Sequence, residues 1–290
     1  MGPMRSILSI PGNKINMIEK ARQLPADVLV LDLEDSVPPA EKTTARNIVK
    51  DSLEGMSQKG QKIFVRINSL SAGLVEQELE AIIRTGLDGI SIPKVNAVSD
   101  IEMVSHLLDS LEKERGIELG KIKLLPWVES AMSLLRSFDI ASGSPRVIAV
   151  AFGADDFTLD MGIEHTSEGR ELFYPRVVIA VAARAAGVAA IDTTHVDFKD
   201  EEGLVREAKL AKSLGFVGKY VIHPSQIGPV NEVFSPSAEE IDHARRVVEA
   251  FETAVSQGSA VATVDGKAVD TPVAERARQL LDLAASISGK

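Results

Sequence analysis

The chain has 290 residues, 44% of them apolar and 26% charged, with a formal net charge of −10 and no cysteine. Its length suits one domain of eight strand–helix units, roughly 250 residues, plus a short appendage. The acidic balance argues against a nucleic-acid or anionic-membrane partner, and the missing cysteines exclude disulfides, thiolate nucleophiles and thiolate-held metals.

Short β-branched runs alternate with amphipathic stretches along most of the chain. Arg5–Ile10 reads as a strand and precedes a helix-like Lys14–Gln23. Val28–Leu33 precedes Ala40–Leu53, Lys62–Ile67 precedes Leu74–Thr85, and Gly89–Ile92 precedes Asp100–Arg115. Lys123–Val128 leads to Ala131–Ala141, Val147–Phe152 to Glu168–Ala186, and Ala189–Asp192 to Glu201–Leu214. Lys219–Ile222 ends the series. Strand–helix alternation indicates a parallel sheet. Eight strands, with no Gly-rich phosphate fingerprint after the first, predict a closed (β/α)8 TIM barrel rather than an open doubly wound sheet. Gly86, Gly187 and Gly215 fall where helices would exit in the left-handed conformation.

The pattern changes after the eighth strand. Ser237–Ser256 predicts a capped amphipathic helix, Asp265-Gly266 a hairpin turn, and Pro272 the start of a last helix to about Ile287. The expected division is a catalytic barrel over 4–234 and a C-terminal helix, lid hairpin and final helix over 235–290. No apolar run approaches a membrane span and no signal-like segment is visible, so a cytoplasmic location is expected.

Barrel chemistry gathers where strands end. Here the strand ends carry Pro11-Gly12-Asn13-Lys14, Asp32-Leu33-Glu34-Asp35, Arg66, Lys94, Glu129, Gly153-Ala154-Asp155-Asp156, Asp192 and His223. Glu129 and Asp156 end adjacent strands, and their carboxylates suit Mg²⁺, which keeps water and substrate among its ligands; Mn²⁺ is the alternative. Capping of the following helices is the competing role for each. Asp32, Glu34 and Asp35 would repel one another without a cation, an arginine or a proton. Strand alternation puts Asp32 and Glu34 on one face and Asp35 on the other. Glu34 or Asp35 is expected to support the metal indirectly, and capping of the next helix is the plainer use of Asp35 or Ser36. Arg66 can clamp a carboxylate or α-keto acid, and can equally pair with the acidic cluster. Lys14 and Lys94 are candidates for phosphate contact, against the ordinary role of solvated lysines. The five histidines show no HExxH spacing, and no GxSxG is present, so nucleophilic catalysis has little support. A metal, an arginine and carboxylate bases suit stabilisation of an enolate.

Several motifs occur together in order: Arg5-Ser6 with Pro11-Gly12-Asn13, Leu31-Asp32-Leu33-Glu34-Asp35-Ser36-Val37-Pro38, Val65-Arg66-Ile67-Asn68, Ile92-Pro93-Lys94-Val95 and Ala151-Phe152-Gly153-Ala154-Asp155-Asp156. Ala190-Ile191-Asp192-Thr193, Asp197-Phe198-Lys199-Asp200 and Ile222-His223-Pro224-Ser225-Gln226-Ile227 follow. From about Met4 onward the chain resembles the citrate lyase beta-subunit-like family of the HpcH/HpaI aldolase group. The resemblance implies Mg²⁺ on Glu129 and Asp156, Arg66 on the keto-acid portion, and a backbone rim around substrate at Gly153 and Ala154, before Asp155. Asp155, and at the ends of the first and fourth strands Pro11, Asn13, Lys14 and Lys94, are further candidate substrate contacts. The resemblance also implies a homo-oligomer, a trimer or a dimer of trimers.

The segment Val264–Pro272 resembles the lid of stand-alone acyl-CoA lyases, in which the position of Asp270 is the general acid/base in a neighbouring subunit's site. Asp265 is the alternative acid, and without the resemblance Asp270 is an ordinary helix cap. The implied activity is cleavage or formation of a 3-hydroxyacyl-CoA such as citramalyl-CoA or malyl-CoA, giving acetyl-CoA with the small 2-keto acid pyruvate or glyoxylate. Arg66, Glu34, Asp35 and Asp270 would carry it. Competing readings are a citrate lyase beta subunit acting on a carrier-protein thioester, a malyl-CoA thioesterase, an aldolase of free 2-keto acids, and a non-catalytic barrel.

Overall fold

The computed structural model describes residues 2–54, 56 and 60–289. Eight parallel strands close into a barrel in sequence order: β1 (Ser6–Pro11), β2 (Val28–Asp32), β3 (Lys62–Arg66), β4 (Gly89–Ile92), β5 (Lys123–Val128), β6 (Ala149–Phe152), β7 (Ala189–Asp192) and β8 (Gly218–Val221). β1 pairs with both β2 and β8, which shuts the ring. Between the strands run α1 (Ile15–Ala21), α2 (Lys42–Leu53), α3 (Val75–Ile82), α4 (Val98–Glu114), α5 (Ala131–Leu135), α6 (Ser137–Ser142), α7 (Ala154–Met161), α8 (Phe173–Ala186) and α9 (Glu201–Leu214); α10 (Ile227–Phe234) follows β8. The fold is the (β/α)8 barrel that the alternation predicts.

Two connections depart from the periodicity. Ala131–Ala141 is two short helices, because Arg136 leaves the helical region (φ −109, ψ 16) and the Ser137 hydroxyl bonds the Leu134 carbonyl. Gly153–Asp156 does not simply end a strand but opens α7, which Gly162 closes at φ 66. That helix buries only Ala154, Phe157 and Thr158, so its apolar stripe is too thin to announce it.

Strand alternation places the site. Val28 and Val30, Phe64, Leu125 and Trp127, Ala149 and Ala151, Ile191 and Tyr220 form one buried cluster. Two residues further along come Asp32 and Arg66, which end β2 and β3, and Glu129 and Gly153, the first residues past β5 and β6, and a period of two carries them to the inward row. The apolar plug thus gives way to charge at the C-terminal mouth. Asp192 and Lys219 have the opposite parity and turn outward to the helices, where Arg176 of α8 and Glu207 of α9 meet them.

Contacts divide the chain into two compact units, Met4–Asn231 and the segment from Glu232 onward with the residues before Met4. In the second unit, α11 (Ala238–Ser256) starts at a capping box: the Glu240 N–H donates to Ser237 Oγ and the Ser237 N–H to the Glu240 carboxylate at 2.7 Å. A hairpin follows, β9 (Ala262–Val264) and β10 (Lys267–Val269), turning at Asp265 (φ 50) and Gly266 (φ 74) as that dipeptide favours. α12 (Thr271–Ser288) packs on α11 around Val247, Phe251 and Ala274. Among the described residues, no helix is long and apolar enough to cross a membrane.

Candidate active site

Asp32 and Arg66 lie side by side in register at the ends of β2 and β3. Their side chains meet as a fork: Arg66 Nε donates to Asp32 Oδ1 and Nη2 to Oδ2, both at 2.7 Å. Asp32 also accepts the Glu34 N–H at 2.9 Å and both the Ser36 N–H and hydroxyl, which coils the chain leaving β2 into a tight turn. Burial opposes the charge on Asp32, but the Arg66 guanidinium outweighs it and holds the carboxyl below its ordinary value. The third guanidinium nitrogen, Nη1, faces Glu34 at 3.1 Å and Asp35 at 3.5 Å. Arg66 lies over the Trp127 ring, 5.6 Å from its centroid.

The turn overturns one expectation. Asp35 does not point away from Glu34: both approach Arg66 and Lys94. β2 stops at Asp32, so strand alternation no longer governs the next residues. Nor does Asp35 or Ser36 cap α2, which begins after a 3₁₀ turn over Pro39–Glu41. Lys42 holds the turn from outside, its ammonium bonding the Leu33 and Glu34 carbonyls at 2.7 Å each. Asn68 Nδ2 donates to the Leu33 carbonyl as well, and buried Glu78 orients Asn68. Burial raises Glu34 to about 7, with Asp35 adding to the rise and Arg66 and Lys94 opposing it. Asp35 is lowered: burial works against its charge, but the Glu34 hydrogen bond and the two cations prevail. The pair therefore shares a proton near neutral pH.

Glu129 stands just beyond β5, 4% exposed. Its Oε1 accepts the Lys94 N–H at 2.5 Å. Ser130, not Glu129, caps α5. Burial, then the charge of Asp156, pushes Glu129 up to about 8. Asp156 lies in the first turn of α7, where the helix dipole favours a carboxylate, yet burial and the neighbouring acids raise it too. Space for the pair depends on Gly153, since a Cβ there would stand 2.4 Å from Glu129 Oε2. Two hard oxygen donors, the buried one resisting ionisation for want of positive charge, fit a small divalent cation. No group of three or more His, Cys, Asp or Glu side chains with metal-binding geometry occurs among the described residues.

The remaining candidates divide. The Gly153 N–H donates to the Val128 carbonyl and the Ala154 N–H to Thr193 Oγ1, so any backbone contact from this turn falls to Asp155 and Asp156. The Asp155 side chain is exposed and pairs with His165 Nδ1 at 2.7 Å. Pro11 ends β1, and the Gly12 N–H then bonds the Asp32 carbonyl. Asn13 donates to Glu41, leaving its buried Oδ1 without a partner among the described residues, and Lys14 is exposed. Lys94 is no free surface lysine, because its ammonium pairs with Glu34 at 2.6 Å. In the second unit Asp270 caps α12, accepting the Val273 N–H at 3.3 Å, whereas Asp265 is tied to Arg246 and His243.

A cavity of about 380 Å³ opens at the other end of the strands, lined by Lys62, Asp88, Lys121, Lys123 and Arg146 among others. Asp88 there bonds the Ile63 N–H, and Arg146 pairs with Glu112 and Asp109, so these two charges serve the fold. The charge convergence at the C-terminal mouth is the better candidate.

The family model for HpcH/HpaI aldolase/citrate lyase matches residues 5–224. The chain belongs to this family. The citrate lyase subunit beta of Escherichia coli K12 is 40% identical over 280 residues, covering 97% of this chain and 93% of that protein. The mitochondrial citramalyl-CoA lyase of Homo sapiens is 35% identical over 298 residues, covering 99% and 87%. Among solved structures, CitE of Mycobacterium tuberculosis in complex with magnesium, acetoacetate and coenzyme A superposes with a TM-score of 0.78 at 30% identity, covering 98% of each chain.

Proposed function

We propose that the protein is a Mg²⁺-dependent carbon–carbon lyase that cleaves, or forms, a 3-hydroxyacyl-CoA such as citramalyl-CoA or malyl-CoA. The observation that carries this reading is Glu129, raised to about 8 beside Asp156 in a pocket whose arginine is already locked to Asp32. Glu129 and Asp156 would hold Mg²⁺, with Mn²⁺ as a substitute. The bound ion would supply Lewis acidity for the substrate oxygens.

The chain's own groups account for the proton traffic. Nη1 of Arg66, the one guanidinium nitrogen outside the Asp32 fork, is the donor available to the hydroxyl oxygen that becomes a carbonyl. Asp35, held ionised, accepts the hydroxyl proton directly or through Glu34. As the C=O bond forms, the carbon–carbon bond breaks and its electron pair enters the thioester enolate. The keto acid, pyruvate or glyoxylate, departs. Asp270, brought by a neighbouring subunit of a homotrimer, then protonates the enolate carbon to give acetyl-CoA. The test is to incubate the protein with Mg²⁺ and a panel of 3-hydroxyacyl-CoA thioesters and to identify products. A keto acid and acetyl-CoA, lost on adding EDTA, are expected. No product from any thioester would sink the lyase reading, and free malate with intact CoA would replace it with a thioesterase.

One observation favours a second reading. The 40% identity to a citrate lyase beta subunit runs along 97% of this chain, so the C-terminal segment does not by itself mark a stand-alone enzyme. Turnover of a citryl carrier-protein thioester, with none of free CoA thioesters, would decide for that reading.

A further inference from the structure

We propose that Lys94 is a positioning residue: it keeps Glu34 and Asp35 away from the divalent cation held by Glu129 and Asp156, so that substrate oxygens find coordination places open. The inference rests on the metal-dependent reading above. Lys94 follows Pro93 just past β4, with φ 54. It and Asp265 are the two non-glycine residues with positive φ among those described. A side chain in this left-handed region crowds the backbone, and glycine or asparagine would sit there more easily.

The strained residue links two carboxylate pairs. Its N–H donates to Glu129 Oε1 at 2.5 Å, while its ammonium reaches Glu34 Oε1 at 2.6 Å and Asp35 Oδ1 at 3.3 Å. The other cation close to Glu34 and Asp35 is Arg66, whose fork belongs to Asp32. Arg66 Nη1 faces Glu34 Oε2 and Asp35 Oδ2, whereas Lys94 holds the other two oxygens, so without the ammonium Glu34 Oε1 and Asp35 Oδ1 would lose their cation and turn toward the divalent ion. A hard divalent ion gains affinity with each added carboxylate, but every carboxylate it gains closes a place that substrate needs. Loss of Lys94 should therefore tighten metal binding and slow turnover together. A contact to a substrate phosphate would instead raise KM alone.

The experiment titrates Mn²⁺ into the full-length protein, reading the free ion by electron paramagnetic resonance, for wild type, Lys94→Asn, Lys94→Arg and Glu129→Gln. Asparagine accepts the left-handed backbone and keeps the N–H, so Lys94→Asn is expected to fold. It should bind Mn²⁺ about threefold or more tightly, and lose about tenfold or more in kcat with KM within about twofold, the scale on which groups around a metal act. Lys94→Arg should restore both values most of the way. Unchanged or weaker Mn²⁺ binding by Lys94→Asn overturns the proposal, as does a rise in KM at constant kcat. If Glu129→Gln binds like wild type, the metal site itself is wrong and the proposal falls with it. An intact Mn²⁺ signature without lyase turnover removes the proposed reaction and leaves the role of Lys94 toward the metal standing.

Discussion

Replacing Gly153 with alanine should displace the Glu129 carboxylate without disturbing the backbone. The added Cβ would stand 2.4 Å from Glu129 Oε2, 2.7 Å from Glu129 Cβ and 3.1 Å from Trp127 Cε3. Gly153 has φ −105 and ψ 90, which alanine adopts, so the penalty is steric. Comfortable contact begins near ~3.5 Å, so the carboxylate must retreat by about 1 Å. It has little room, since its other oxygen is fixed to the Lys94 N–H at 2.5 Å. Overpacking of this kind costs ~1–3 kcal/mol. For 290 residues, at roughly 2.1 cal/mol/K of unfolding entropy per residue, ~2 kcal/mol lowers Tm by about 3 °C. The displaced donor should weaken Mn²⁺ binding by about 10–100-fold, the range seen when ligand support is lost. Thermal melts and Mn²⁺ titration measure the two effects separately. A lowered Tm with wild-type Mn²⁺ affinity would mean that Glu129 is no ligand, and wild-type values in both would refute the steric reasoning itself.

Three further changes test other parts of the site and fold. Asp32→Asn removes the charge from a fully buried carboxylate that holds the Arg66 fork, and should cost ~3–5 kcal/mol in urea unfolding; a loss below ~1 kcal/mol would contradict the buried pairing. Glu112 lies below its ordinary value of 4.5, because the Arg146 and backbone hydrogen bonds outweigh its burial. A depressed carboxylate contributes stability above its unfolded pKa that is lost as pH falls through the folded one. The stability gap between wild type and Glu112→Gln should thus narrow as pH falls below the ordinary value of 4.5, and a gap that widens on acidification would reverse the sign. Asp270→Asn preserves a good helix cap while removing the acid, so kcat should fall by about 10²–10⁴-fold with little change in Tm. Asp265→Asn breaks only exposed pairs with Arg246 and His243 and should leave kcat near wild type; the opposite pattern would move the acid to Asp265.

The barrel was legible because its strands are buried on both sides, so β2 reads as the unbroken apolar run Val28–Leu31 before its terminal aspartate. Glycines did similar service at the helix exits: Gly187 and Gly215 end α8 and α9 at φ 73 and φ 106. What pattern could not supply was structure shorter than a helical period. The break at Arg136 depends on a serine hydroxyl bonding a carbonyl, and α7 buries too few apolar side chains to show a stripe. Parity was a better guide inside strands than beyond them. It carries Arg66 and Glu129 correctly to the mouth, and fails at Asp35, where hydrogen bonds to Asp32 and the grip of Lys42 replace the pleat.

The origin of the Glu129–Asp156 pair shows why spacing alone leaves its chemistry open. Glu129 comes from the inward row of β5, and Asp156 from the first turn of a helix that begins where β6 ends. A carboxylate in a first helical turn faces free N–H groups that favour its charge. Glu129 has no such support. It is 4% exposed, accepts one short bond from the Lys94 backbone, and faces the charge of Asp156. The two acids are therefore unequal before any ligand arrives: Asp156 is partly exposed at a helix start, whereas Glu129 is pushed to about 8. Had Glu129 been satisfied by a lysine or arginine side chain, the same sequence motif would describe a salt bridge. The ammonium that could have done so belongs to Lys94, and it is turned instead to Glu34 and Asp35. The lysine whose backbone N–H reaches Glu129 thus spends its charge on Glu34 and Asp35, from a left-handed backbone that no residue pattern announces.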